Sequence, residues 1–420
     1  MKIDFRRLDL LRRGRSAVEN HLIDGLLAGR VDRREFLRHG SVLGLSLPFL
    51  GGVAGLVGMG AMPRAARAAT PGGVLRMAQS VPAGTLDPVR IADNGGIVTL
   101  SQVAEYLCFS RPDLVLQPML AESWSPNADG SVWVFKLRQG VKFHNGATMT
   151  ADDVVASINR LADPANGSNA LSAFSGVLSA GATRKLDDHS VEFTLDAPNG
   201  NFPYYLSSDN YNAVILPAAE GASFEENWIA TGPYRYESYT PQVGAAFVRF
   251  DGYWGPSALA DRIEIAYYND IQPQILALQG GEVDIIQQAP VLQSVALLND
   301  PSVQILANPS TAHQQVHMRT DMDPFRDPRV RRAVALCLDR PALVQGLMKG
   351  KAEVGNDSPF ASVYPSTDRS VPQREKNIAE AKALMQAAGM AGGFDVTLTT
   401  EDYLEIPQYA VLIQNAKQQP

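Results

Sequence analysis

Cysteine is nearly absent: Cys108 and Cys337 are the two in 420 residues. A disulfide framework is therefore excluded as the main source of stability, and so is a C-x-x-C redox or zinc motif. Each cysteine lies in an apolar run, Tyr106 to Phe109 and Ala333 to Leu338, which predicts small buried hydrophobes. Other chemistry is missing too. The chain has no G-x-S-x-G, no H-E-x-x-H and no phosphate-binding G-x-x-x-x-G-K, so it lacks the common nucleophile elbow, zinc helix and P-loop. Charged residues make up 19% against 45% hydrophobic, the composition of a globular protein. At this length two or three domains are expected.

An excess of basic charge is also lacking. The first 68 residues hold 12 of the 37 Lys and Arg and 6 of the 44 Asp and Glu, which leaves 25 against 38, a net −13, for the remainder. Nucleic acid is not an expected partner of such a chain. Long apolar runs are confined to Ser41–Met62, which is uncharged but rich in glycine. Ahead of it, Asp32-Arg33-Arg34-Glu35-Phe36-Leu37 resembles a twin-arginine export signal, with Asp where Ser or Thr is more usual. Behind it, Ala66-Arg67-Ala68 supplies a small-x-small cleavage site. Residues 1–68 are thus expected to be a signal peptide with an N-terminal extension, cleaved after Ala68. A retained membrane anchor is the alternative, since 22 uncharged residues are long enough to span a bilayer. Within the extension, Leu8, Leu11, Val18, Leu22 and Leu26 are spaced for an amphipathic helix.

The most informative stretch runs from Leu120 to Arg160. Asn127-Ala128-Asp129-Gly130 signals a tight turn, and Val132, Val134, Phe135 and Leu137 predict a strand. A second turn is expected at His144-Asn145-Gly146. Thr150-Ala151-Asp152-Asp153 then forms a capping box for a helix carrying Val154, Val155, Ile158 and Leu161, stopped by Asp163-Pro164. The pairs Asp152/Asp153 and Asp187/Asp188 are read as a cap and a turn rather than catalytic carboxylates, and His144 as a turn or packing residue. His313 and His317 lie in an alternating, strand-like segment that would place them on the order of 13 Å apart, so no metal site is expected.

Elsewhere strands are predicted at Gly73–Ser80, Ile263–Tyr268, Val283–Ile286 (short and buried), Gln315–Met318 and Phe394–Thr400, and Leu186–Leu195 brings a turn at Asp187-Asp188 and then a strand with Val191, Phe193 and Leu195 alternating with polar residues. Tyr234–Tyr239 and Ala245–Phe250 should form a hairpin. Helices are predicted at 96–109, at Ile271–Leu278, from Asp327-Pro328, from Asp339-Arg340-Pro341, and at Gln373–Ala388. Irregular alternation of the two types indicates an α/β protein with mixed sheets.

These pieces carry a resemblance. L-A-E-S-W at Leu120–Trp124, D-G at Asp129–Gly130, L-R-x-G-V-K-F-H-x-G from Leu137 and T-A-x-D-V from Thr150 resemble the peptide/nickel family of solute-binding proteins (extracellular family 5, dipeptide/oligopeptide-binding type), the periplasmic receptors of ABC importers. In the same order come L-D-P at Leu86–Pro88, T-G-P-Y at Thr231–Tyr234, Y-W-G at Tyr253–Gly255, G-E-V-D-I at Gly281–Ile285, P-F-x-D-x-R-V-R at Pro324–Arg331 and L-D-R at Leu338–Arg340. The resemblance covers most of the chain after residue 70. It implies a two-lobed periplasmic binding protein fold (type II, cluster C) with an extra inserted domain. Lobe I would be discontinuous, at 69–98 and 205–305, with the inserted domain at 99–204 and lobe II at 306–420. Arg319 departs from the family, which often has Asn there. The chain also stops at Lys417-Gln418-Gln419-Pro420, inside what should be a helix of lobe II. A truncated end is expected on that ground, with the family's carboxylate and arginine ligand anchors falling beyond it.

By the same resemblance the chain is expected to be the non-enzymatic receptor of an importer, and the missing P-loop means it cannot itself be the ATPase. It would be exported to the periplasm, with peptides or similar small polar solutes captured between the lobes and delivered to permease subunits in the inner membrane. A monomer without cofactor or bound metal is expected, with the twin-arginine machinery as its export partner. Ligand-binding candidates are Asp93 and Asn94 after L-D-P, Gln287 and Gln288 at the first crossing, Gln315 at the second, and Thr400, Glu401 and Tyr403 after the last strand. Amides and hydroxyls suit a peptide backbone without demanding one side chain. Two other classes compete: a periplasmic hydrolase or chelatase on the same scaffold, which would turn its ligand over, and a signal-anchored interaction protein, which would stay with the membrane.

Overall fold

The structure, a computed structural model, describes residues 5–56, 71–219, 224–308, 312–362, 364 and 367–417. The chain forms two compact units, Met1–Gln287 and Gln288–Pro420. Residues 288–305, placed with lobe I by the resemblance, thus cluster with the second unit. The expected cleavage site at Ala66–Ala68 lies outside the described residues.

The first unit opens with four helices, α1 (Phe5–Arg12), α2 (Ala17–Leu27), α3 (Arg33–Val42) and α4 (Leu47–Leu56). Helix α5 (Asn94–Ser101) follows the first strand, and α6 (Ala151–Ala162) follows the fifth. The strands in chain order are β1 (Val74–Ser80), β2 (Cys108–Ser110), β3 (Leu116–Pro118), β4 (Ala121–Pro126), β5 (Val132–Leu137), β6 (Thr183–Asp187) and β7 (Ser190–Thr194). They continue with β8 (Tyr234–Thr240), β9 (Gly244–Arg249), β10 (Arg262–Tyr268) and β11 (Ile285–Ile286).

Two larger sheets result. One is mixed, in the order β11-β1-β10-β9-β8, with β1 parallel to both β10 and β11 and the β10, β9, β8 steps antiparallel. The other is antiparallel throughout, in the order β4-β5-β7-β6. Alternation in β5 turns Trp133, Phe135 and Leu137 inward, where they meet Phe193 of β7 and Val154, Ile158 and Leu161 of α6. Their buried apolar surface is the main force holding α6 to the sheet. Register shifts interrupt three outer strands, between Ala121 and Ser123 in β4, Lys185 and Asp187 in β6, and Tyr236 and Ser238 in β8.

The local signals work as the chemistry requires. Gly130 and Gly146 take φ of +75° and +87° in the two turns, a region where a side chain is strained. The Asp153 carboxylate accepts from the Thr150 N–H at 2.7 Å and ties down the start of α6. In the second unit, Asp327, Asp339 and Asn377 each cap a helix, at Pro328–Leu336, Arg340–Met348 and Ile378–Ala387. Cys108 is buried and Cys337 half-buried, and the Cys337 thiol donates to the Ala333 carbonyl at 3.3 Å.

Four expectations fail. The helix expected over 96–109 stops at Ser101, because Val103 to Leu107 are all buried and their carbonyls bond elsewhere. Glu105 O accepts from Ile215 N, Tyr106 O from Leu120 N, and Leu107 O from Met119 N and Ala121 N. Long-range pairing thus outweighs helix propensity there. Gln315–Met318 and Phe394–Thr400 are irregular, exposed or half-buried, and pair with no strand among the described residues. Alternation proposes a strand, but only a neighbouring backbone makes one. Finally, β11 is a two-residue sheet edge with Ile285 exposed, and burial is confined to Val283 just before it.

Candidate functional site

Strands β11, β1 and β10 run parallel, so their carboxyl ends share one edge of the mixed sheet. Loops leaving such an edge are where open α/β sheets hold ligands. The register carries this to single residues. Ala78 pairs with Ile286, and Gln79 pairs with Tyr267. Gln287, next after Ile286, therefore leaves the sheet level with Gln79. Past β1 the chain turns and enters α5, whose first turn is pressed against that turn: a Cβ on Gly95 would strike the Ser80 carbonyl oxygen. Asp93 and Asn94 are thereby set at the amino end of α5, beside the carboxyl end of β1.

Asp93 caps α5, its carboxylate accepting from Gly96 N at 2.9 Å. Its charge also reaches Tyr239 and Tyr267, whose phenols are raised chiefly by burial and further by Asp93. Tyr267, pushed up to about 12, shares a 2.8 Å hydrogen bond with Thr99 Oγ1. Gln79 is a residue that sequence reasoning missed. It is 2% exposed; its Oε1 accepts from Ser80 N, and its Nε2 has no partner among the described residues. A buried amide donor left this way costs about 1–3 kcal/mol, which suits it to an incoming acceptor. Gln287 itself is exposed.

The remaining candidates belong to the second unit. Gln288 Nε2 donates to Tyr403 Oη at 3.4 Å, so these two are brought together. Beneath them Glu405, 5% exposed, accepts from Val291 N at 3.2 Å and ties the two segments. Thr400 and Glu401 are exposed, and the Thr400 hydroxyl donates to the Glu401 carbonyl. Gln315 stands between two imidazoles, 3.1 Å from His313 Nε2 and 2.8 Å from His317 Nε2. Among the described residues no group of three or more His, Cys, Asp and Glu is placed to hold a metal ion.

The recurring motifs turn out to be scaffold. Asp87 of L-D-P takes a bidentate ion pair from Arg160 of α6, at 3.0 and 2.5 Å. His144 is half-buried, 3.0 Å from the Gly232 carbonyl and edge-on to Phe250; burial lowers its pKa. Tyr253 and Trp254 of Y-W-G both donate to Glu105, at 2.7 and 2.9 Å. Arg138 covers the Trp254 ring at 4.2 Å.

Comparison with known proteins agrees with this architecture. The sequence profile of the bacterial extracellular solute-binding proteins, family 5 (middle), matches residues 115–419. The glutathione-binding protein GsiB of Escherichia coli strain K12 is 28% identical over 321 residues, 75% of this chain and 61% of GsiB. The chain thus spans 61% of the length of the curated relatives it matches. Among solved structures, AgaA from A. tumefaciens R10 in complex with agropinic acid superposes with a TM-score of 0.67 at 26% identity, covering 82% of this chain and 70% of AgaA. DppA from Helicobacter pylori in complex with the peptide STSA gives 0.68 at 24%, covering 83% and 72%, a likeness of fold.

Proposed function

Since this chain belongs to the bacterial extracellular solute-binding proteins of family 5, we propose that it captures a peptide or a similarly small polar solute outside the cytoplasmic membrane and passes it to an ABC permease. The observation that carries this is the family match across residues 115–419. The relatives named above are described with glutathione, the peptide STSA and agropinic acid, which share amide and carboxylate groups. The common edge of β11, β1 and β10 offers groups of the same kind: the amides of Gln79 and Gln287 and the capping carboxylate of Asp93. Gln288, Gln315, Thr400, Glu401 and Tyr403 remain the further ligand-binding candidates. In this reading the domains follow the discontinuous lobe I, inserted domain and lobe II drawn from the sequence, with residues 288–305 grouped with lobe II. The receptor works in the periplasm as a monomer, reaches it by the twin-arginine route, and leaves its ligand covalently unchanged.

The test is calorimetry and thermal unfolding of the purified chain with glutathione and with tri- and tetrapeptides. A true ligand at about 100 times its dissociation constant adds roughly 2.7 kcal/mol of stability, a rise of a few degrees in Tm for a protein of this size. Gln287→Ala is expected to weaken that ligand about fivefold, the loss of about 1 kcal/mol from one hydrogen bond. The unliganded Tm should stay unchanged, because Gln287 is exposed. Equal affinities would remove Gln287 from the site, and steady conversion of ligand to product would replace the receptor with an enzyme.

A further inference from the structure

Residues 5–56 are folded as a module of their own. Capping boxes at Ser16/Glu19 and Asp32/Glu35 start α2 and α3. Leu8, Leu22, Ile23, Leu26, Phe36, Leu50 and Val53 close into a hydrophobic cluster separate from the main core. Phe36, within the arginine-pair motif, is 0% exposed in that cluster.

The module is seated on the rest of the first unit by the end of α3 and the turn after it. Ser41, 1% exposed, accepts from the Leu116 N–H at 2.8 Å and donates to the Arg38 carbonyl at 2.7 Å. Trp124 Nε1 donates to the Val42 carbonyl at 2.8 Å. Val42 leaves its own module's cluster and joins the main core with Leu116, Leu120 and Trp124. Gly44 follows at φ +79°, so close to Trp124 that a Cβ would strike its carbonyl oxygen. Two buried hydrogen bonds, an inserted valine and a close backbone approach make a fitted surface rather than a loose contact.

We propose that the face formed by Leu116, Leu120 and Trp124 is a binding site for the N-terminal helical module of the same chain, and that this site retains the module after the connection over residues 57–70 is cut. Cleavage and release are then separate events, and Phe36 of the arginine-pair motif becomes available only when the module opens. The contact needs no solute, so its failure is distinguishable from failure of the receptor reading.

The experiment uses the full chain with a specific protease site placed between residues 57 and 70. After cutting, the mixture is passed over a sizing column at micromolar concentration, and hydrogen exchange is followed at the Leu116 amide. The wild-type fragment is expected to co-elute with the remainder and to keep that amide protected. Gly44→Val is expected to weaken retention at least tenfold. Because that change also strains the module itself, Trp124→Phe is run beside it; it leaves the module's own sequence unchanged, removes one donor and should weaken retention about fivefold, while its effect on the core packing with Phe135 is read separately from the Tm of the remainder. Immediate separation of the wild-type fragment, or equal retention in wild type and both variants, overturns the proposal.

Discussion

Replacing Glu105 by alanine is expected to destabilise the first unit by about 3–5 kcal/mol, the cost of stranding two donors that now bond to a buried charge. Tyr253 Oη and Trp254 Nε1 converge on this carboxylate, which is 2% exposed. Glu105→Gln keeps one acceptor but turns an N–H toward a donor, so its cost should fall between wild type and alanine. Both variants also differ from wild type in pH dependence. Burial raises the Glu105 pKa, with the Trp254 and Tyr253 hydrogen bonds pulling it partly back. A carboxyl raised on folding binds more protons in the native state than unfolded, so stability falls as pH rises from the usual carboxylate value through the raised one. Wild type should therefore lose stability relative to Glu105→Gln across that window. Denaturant unfolding at several pH values reads both effects; parallel curves for the two proteins would mean that burial does not govern Glu105.

Phe135→Ala should cost a comparable amount, about 3–5 kcal/mol for a large aromatic removed from a closed core. Phe135 is 0% exposed, stacked 5.8 Å from Trp124 and edge-on to Phe193 at 5.3 Å and Phe202 at 6.3 Å. It joins β5 to β4, β7 and the helix at Phe202–Tyr205, so neighbours held by backbone hydrogen bonds are unable to collapse into the space. At Phe109, 39% exposed, the same change removes less buried area and leaves no closed cavity, and should cost about 1–2 kcal/mol. Thermal melts would separate the two, with Phe135→Ala lower by on the order of 10 °C. A shift no larger than that of Phe109→Ala would mean that the β4-β5-β7-β6 core is not the stabilising centre of the unit.

What the sequence showed plainly was local. The Thr150–Asp153 cap, the turns at Gly130 and Gly146 and the helix starts at Asp327 and Asp339 depend on residues within a few positions of one another. The hairpin β8–β9 and the strand β10 were equally readable, from alternation between turn signals. Glu105 was not, because its partners stand 148 and 149 residues away, and its surroundings Val103 to Leu107 imitate a helix. Gln79 escaped notice for a related reason. At the end of β1 it looks like any polar residue closing a strand, and only the register with β10 and β11 places it level with Tyr267 and Gln287. Asp93 was legible as a polar loop residue, yet its capping of α5 follows from Gly96 and needed the structure to be seen. The segments at Gln315–Met318 and Phe394–Thr400 show the reverse case, where a local pattern promised a strand that found no partner.

The interrupted outer strands have a further consequence. A sheet edge bears backbone N–H and C=O groups open to any extended chain that approaches, and an unbroken edge is a template for aggregation. Here β4, β6 and β8 each lose register part-way, and β11 is two residues long. Charge reinforces the break: Arg184 and Lys185 line β6, and Arg235 and Glu237 line β8. The inner strands β1, β5, β7, β9 and β10, which are already paired on both sides, carry the long uninterrupted ladders. An incoming strand would therefore find two to four matched residues before the spacing fails, too few to repay its ordering entropy, and the sheets resist growing from one copy of the chain into the next.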